Sequence, residues 1–346
     1  MRSRLKATVV LAITAVFALA ACSKPTPATP TVTDTSTAGP AVTLNLVGYS
    51  VAEAANTAAA KEWAKLNEGR NVTFKTSYGG SGDQSRAVQN GLAADIVHFS
   101  VQSDITRLVP AQIDPSWNAG PTKGIISSSI VVFVVRPGNP KNIKTWDDLT
   151  KPGVTIVTPN PASSGAARWN ALAAWGQVIA AGGTEDQAKA FVTKLYKNAV
   201  SLPASGRDAT TAFLGGTGDV YLTYENEAIL AKQSGEDLDW VYPDTTLLIE
   251  NPAAVTKTAD PRAAAYLNFV LTPAGQRAFA LKGYRPVVSG VDTSGIPGAK
   301  DANNPFPTPK KLLTVANDFG DWDTLSKKFF DAKTGIVTLI IAATGK

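Results

Sequence analysis

One cysteine, one histidine and one methionine in 346 residues leave this chain poor in the side chains that carry most metal, redox and nucleophilic chemistry. A lone Cys forbids an internal disulfide, and one Cys with one His cannot build a His/Cys metal cluster. Long hydrophobic runs are also missing. Ala7–Ala18 and Ile336–Ala343 are apolar but fall short of the roughly 20 residues that a membrane-spanning helix needs. No Walker A sequence and no G-x-G-x-x-G is present, so nucleotide-phosphate and dinucleotide loops are excluded. Basic residues do not cluster with aromatics as a nucleic-acid groove requires, and no nucleic-acid partner is expected. What remains is a 44% hydrophobic, globular composition of a length that suits two packed units of roughly 100–150 residues each.

The net charge of +5 suggests acidic partners until the charges are located. Arg2, Arg4 and Lys6 precede the Ala7–Ala18 run, which has the length of a signal-peptide h-region. Leu19-Ala20-Ala21-Cys22 follows and resembles the lipobox of bacterial lipoproteins, which makes Cys22 a candidate lipidation site. An ordinary signal peptide with an incidental Cys22 is the alternative. Removing residues 1–21 takes away three of the positive charges and no negative ones, so most of the basicity belongs to export. Ser23–Pro40 holds four prolines among Thr, Ser and Ala and reads as a disordered tether. Ile336–Ala343 is expected to dock on the folded part.

From Val42 onward, β-rich runs alternate with helical patterns, the signature of parallel βαβ units. Strands are predicted at Val42–Tyr49, Val72–Tyr78 and Asp95–Ser100. Helices are predicted at Ala52–Leu66 and Asp83–Asn90, with Gly69 and Gly91 as C-caps. A long run, Ser127–Val135, opens a second alternation through Val154–Thr158, a helix from about Ser164, and a helix with the capping-box pattern Thr184-x-x-Gln187. Further strands are predicted at Asp219–Tyr224 and Asp239–Tyr242. Leu247–Thr256 is another long β run, followed by helices at Pro261–Leu271 and Pro273–Leu281. Two long runs bracketing a middle block imply a first domain interrupted by a second, with two hinge crossings.

Three segments repeat one design, a strand followed by small residues and a helix start: Ser77–Gln84, Thr158–Trp169 and Ala204–Asp208. Unpaired N–H groups point out of a helix start, which carries about half a positive charge. Small side chains let an anion reach that backbone. All three segments fall at strand C-termini, where open α/β sheets bind ligands. Singly, each is an ordinary turn. Enzyme readings are weaker. Gly79-Gly80-Ser81-Gly82-Asp83 misses the last Gly of G-x-S-x-G, and His98, the only imidazole, lies in a β-rich run where a core or surface His is expected. A hydrolase using Ser81 and His98 remains the alternative of a different class. No metal and no cofactor are called for.

Across Ser77–Gln84, Val131–Ile143, Trp146–Gly176, Gly218–Leu230 and Lys282–Val287, the chain resembles the sulfate-binding proteins, the substrate-binding lipoproteins of bacterial sulfate ABC transporters. The resemblance implies an α/β, two-lobed type II periplasmic-binding-protein fold with a discontinuous first domain. It implies a signal peptide at 1–21, a lipidated Cys and tether at 22–40, a first lobe at 41–126 and 247–346, and a second lobe at 127–246. It further implies an extracytoplasmic monomer, anchored to the membrane through Cys22, that delivers sulfate to a permease. Thiosulfate and molybdate remain open as ligands. By residue match, Ser81 serves from the first lobe, Ser164, Gly165 and Ala166 from the second helix start, and Gly206 from the third. Tyr224 falls where these proteins carry a Trp indole donor, and Ser50 where they carry an Asp. Ala166 replaces a Gly, which keeps the backbone N–H. Asp83 and Asp208 are expected to favour the helix dipole and face away from the ligand. Arg168 and Arg207 are expected to pair with carboxylates rather than with the anion.

Overall fold

The computed structural model describes residues 39–346, so the signal segment, Cys22 and most of the tether lie outside the described residues. The chain begins with β1 (Val42–Tyr49), α1 (Glu53–Trp63), β2 (Val72–Gly79), α2 (Ser81–Gln89), β3 (Ile96–His98) and α3 (Gln102–Thr106). β1 pairs in parallel with both β2 and β3. The first helix is shorter than expected: a 3-10 turn over Ser50–Ala52 precedes it, and it stops at Trp63. Gly69 therefore lies beyond the C-cap. A Cβ there would come 2.3 Å from the Trp63 carbonyl oxygen, so this glycine serves close packing. Gly91, at φ +104°, does follow the C-cap of α2.

A second α/β series follows: β4 (Ile125–Val135), β5 (Ile156–Val157), α4 (Gly165–Ala180), α5 (Glu185–Asn198), β6 (Ala199–Ser201), α6 (Gly206–Leu214), β7 (Val220–Tyr224), α7 (Glu225–Gln233) and β8 (Asp239–Val241). The Thr184 capping box on α5 is complete on both sides. α4 is apolar nearly all round and buried from Gly165 to Gly176, as a helix without a polar face must be. The remainder comprises β9 (Thr245–Val255), α8 (Pro261–Val270), α9 (Pro273–Ala280), β10 (Lys311–Leu313), α10 (Val315–Asp318), α11 (Trp322–Phe330) and α12 (Ile336–Ala343).

The strands run in the order β2-β1-β3-β9-β4-β7-β5-β6, with β10 on β9 and β8 on β4. β4 and β9 tie the two halves together. They pair antiparallel over Ser127–Ile130 and then diverge: Ala253–Val255 of β9 joins β3, while Val131–Val135 of β4 joins β7. All of β4 but its first residue is buried, which explains its unbroken run of small and β-branched residues. α9 packs on α1, whereas α12 docks on α5 with Val337, Ile340 and Ile341 buried, so the apolar tail completes a core.

Candidate functional site

The chain passes from strand to helix at several points that face one another between the two halves. They surround a small pocket. Ser50, Ser81, Ser164, Gly165, Ala166 and Gly206 all line it, joined by Tyr49, Val51, Gly79 and Ser100. The halves are in contact around it. Gly82 N–H donates to the Ser163 carbonyl (2.9 Å), Trp169 Nε1–H to the Ser100 carbonyl (2.9 Å), and Arg207 N–H to Ser50 Oγ (3.3 Å). Two glycines make this approach possible. A Cβ at Gly165 would lie 2.4 Å from Ser100 Oγ, and one at Gly206 would lie 2.7 Å from Val51 Cγ2.

Helix starts supply the donors. Ser81, Gly165 and Gly206 are the first residues of α2, α4 and α6, and first-turn N–H groups have no intrahelical acceptor. Ser164 occupies the N-cap of α4, yet its hydroxyl makes no capping bond, unlike that of Ser205, which accepts from Asp208 N–H at 3.1 Å. The Ser164 hydroxyl is thus spared for the cavity. Ser81 behaves differently: its hydroxyl donates to Asp104 Oδ2 (2.6 Å) and accepts from Ser100 N–H (2.9 Å). That leaves the Ser81 backbone N–H as its contribution. Tyr224 is fully buried behind the cavity rather than on its wall, with its hydroxyl 2.6 Å from Ser100 Oγ.

Among the described residues, no charged side chain lines the cavity. Nearby charges are engaged elsewhere. Asp83 pairs with Arg86 on the surface, Asp208 accepts from Ser205 Oγ at 2.7 Å, and Asp104 faces Arg107 at 3.0 Å. Arg207 meets Glu227 at 3.0 Å, and this neighbour holds its guanidinium above its usual pKa. Arg168 departs from the expected carboxylate pairing. It donates to the Pro161 carbonyl (3.1 Å) and to Ser103 Oγ (3.3 Å), because the turn before α4 folds back over it. It orients that turn without direct contact to an acid. An oxyanion in this cavity therefore meets dipoles, hydroxyls and N–H groups. Such a set suits an anion without a proton to donate, since no carboxylate is offered to receive one.

A Ser81–His98 catalytic pair is absent. His98 is fully buried, with Nδ1 3.1 Å from Asn56 Oδ1 and Nε2 3.3 Å from Ser127 Oγ. Burial lowers its pKa to about 3. It is a core histidine packed edge-on against Tyr49. Sequence reasoning passed over Ser100, although it closes the predicted Asp95–Ser100 strand and the strand-end rule points to it.

Two α/β halves joined by a pair of crossing strands, with the site enclosed between them, define the type II fold of periplasmic binding proteins. The chain belongs to the bacterial extracellular solute-binding proteins, whose family model matches residues 44–285. It is 43% identical over 304 residues to the sulfate-binding protein of Synechococcus elongatus, covering 84% of this chain and 85% of that one. It is 38% identical to the thiosulfate-binding protein of Pseudomonas aeruginosa, over 80% of this chain and 84% of the relative. The solved structure of the sulfate-binding protein SubI from Mycobacterium tuberculosis superposes with a TM-score of 0.78 at 42% identity, covering 84% of this chain and all of that one.

Proposed function

We propose that this protein is an extracytoplasmic, non-catalytic receptor that closes on sulfate and hands it to an ABC transporter permease. The observation that carries this reading is the meeting of three α-helix N-termini on one small cavity free of charged side chains. Backbone dipoles there offset a dianion without an acceptor that a protonated phosphate would use. The similarity to sulfate-binding proteins supports the same ligand. In this reading residues 41–126 and 247–346 form the first lobe and 127–246 the second, with α12 reaching across to the latter. Ser50, Ser81, Ser164, Gly165, Ala166 and Gly206 hold the anion, Tyr224 supports it from behind, and the protein acts as a monomer. Cys22 carries the lipid that keeps the receptor at the membrane once residues 1–21 are removed. Competition of sulfate, thiosulfate, molybdate and phosphate against labelled sulfate tests the proposal. Sulfate displaces at micromolar concentration and phosphate does not; the absence of micromolar sulfate binding overturns it. Thiosulfate is the second ligand to consider, because the chain also resembles thiosulfate-binding proteins.

A further inference from the structure

We infer that Ser100 is a direct hydrogen-bond donor to the bound oxyanion, and that Tyr224 is a positioning residue that sets the direction of its proton. This rests on the sulfate-receptor reading above. Ser100 lies on the cavity wall, its Oγ beside the first residue of α4. Every other polar atom of Ser100 is engaged. Its N–H donates to Ser81 Oγ, and its carbonyl accepts from Trp169 Nε1 (2.9 Å) and Asn251 Nδ2 (3.0 Å).

The order of donors behind Ser100 follows from its neighbours. The Ser100 carbonyl can only accept, so the Asn251 amide must turn its NH2 toward it. The other end of that amide, Oδ1, accepts from Ser127 Oγ at 3.4 Å. The Tyr224 hydroxyl lies 2.6 Å from Ser100 Oγ, and either oxygen can donate in that pair. A dianion offers only lone pairs, so with sulfate bound Ser100 gives its proton to the anion and accepts the one from Tyr224. Ser100 Oγ, having accepted, points its proton into the cavity. The pair Tyr224→Ser100 thus ends in a donor. Tyr224 is too far back to line the wall itself, and the small Ser100 extends its reach by one hydroxyl. This explains how a Tyr serves at the position where the resemblance implies a Trp indole donor.

The test is sulfate calorimetry on the purified protein and its Ser100→Ala, Tyr224→Phe, double and Ser164→Ala variants, with unliganded thermal melts beside it. Ser100→Ala is expected to weaken sulfate binding roughly ten- to a hundredfold, the value of one hydrogen bond to a charged group. Tyr224→Phe weakens it less, and adds nothing once Ser100 is Ala. Unliganded melting temperatures stay unchanged, which a purely structural role would not allow together with that non-additivity. If Ser164→Ala weakens binding but Ser100→Ala does not, the donor role of Ser100 is overturned. Additive losses from Ser100→Ala and Tyr224→Phe overturn the relay. If the unaltered protein fails to bind sulfate, the sulfate reading itself is lost.

Discussion

Arg207 stands 3.0 Å from the carboxylate of Glu227, which is buried and also accepts from Thr210 Oγ1 at 2.6 Å. The guanidinium beside the cavity is thereby committed to a protein carboxylate. Removing one partner of such a pair strands a buried charge, so Arg207→Ala is expected to lower stability by about 2–4 kcal/mol. Adding Glu227→Gln should restore much of it. Denaturant unfolding of the unaltered protein and the two variants measures this. An Arg207→Ala protein of full stability that no longer binds sulfate would instead place Arg207 on the ligand.

Ser164 caps α4 in position but not by its side chain. Ser164→Ala is expected to leave folding intact and to weaken sulfate binding by roughly 1.5–3 kcal/mol, one hydrogen bond to an ion. An unchanged dissociation constant in calorimetry removes Ser164 from the site.

Gly165→Ala puts a methyl 2.4 Å from Ser100 Oγ, and under the proposed hinge closure that contact belongs to the closed form. The overpacking penalty of roughly 1–3 kcal/mol then falls on the closed form alone. Sulfate affinity should drop by that amount, while the unliganded melting temperature holds. Small-angle scattering adds a second reading: sulfate should contract the unaltered protein, and the same sulfate concentration should contract the variant less. Equal affinity and equal contraction would show that the approach of Gly165 to Ser100 is dispensable.

His98 gives stability a pH dependence. Burial lowers it to about 3, whereas in the unfolded chain an imidazole titrates near its usual value of about 6.5. Between those values the unfolded chain holds a proton that the native protein does not. Native stability therefore falls as pH drops below about 6.5, by about 1.4 kcal/mol per unit, or about 2 kcal/mol at pH 5. Unfolding titrations at pH 7 and pH 5 should show a smaller difference for His98→Gln than for the unaltered protein. Equal differences sink the assignment.

The helix starts near Ser81, Gly165 and Gly206 were legible in the sequence, although α2 begins two residues before the predicted Asp83, because the signal is local. A strand, a few small residues and a helix-forming run dictate where N–H groups go unpaired, whatever surrounds them. The crossing strands were legible for a similar reason: β4 is buried on both faces and reads as a run of small and apolar residues with no charge. Gly69 misled the reading, since its need for glycine comes from the close approach of Trp63 rather than from a cap. Arg168 misled it too, because its acceptors are a carbonyl and a hydroxyl that only the folded turn supplies.

By itself, then, the sequence determined the backbone part of the site: three helix N-termini, small residues around them, and no charged residue among the matched positions. Tertiary structure decided which hydroxyls face inward. Ser81 turns to Asp104, 23 residues away, and Ser100 takes its orientation from Tyr224, 124 residues away. A backbone N–H is aimed by its own helix, whereas a hydroxyl rotates to the partner that distant segments bring to it.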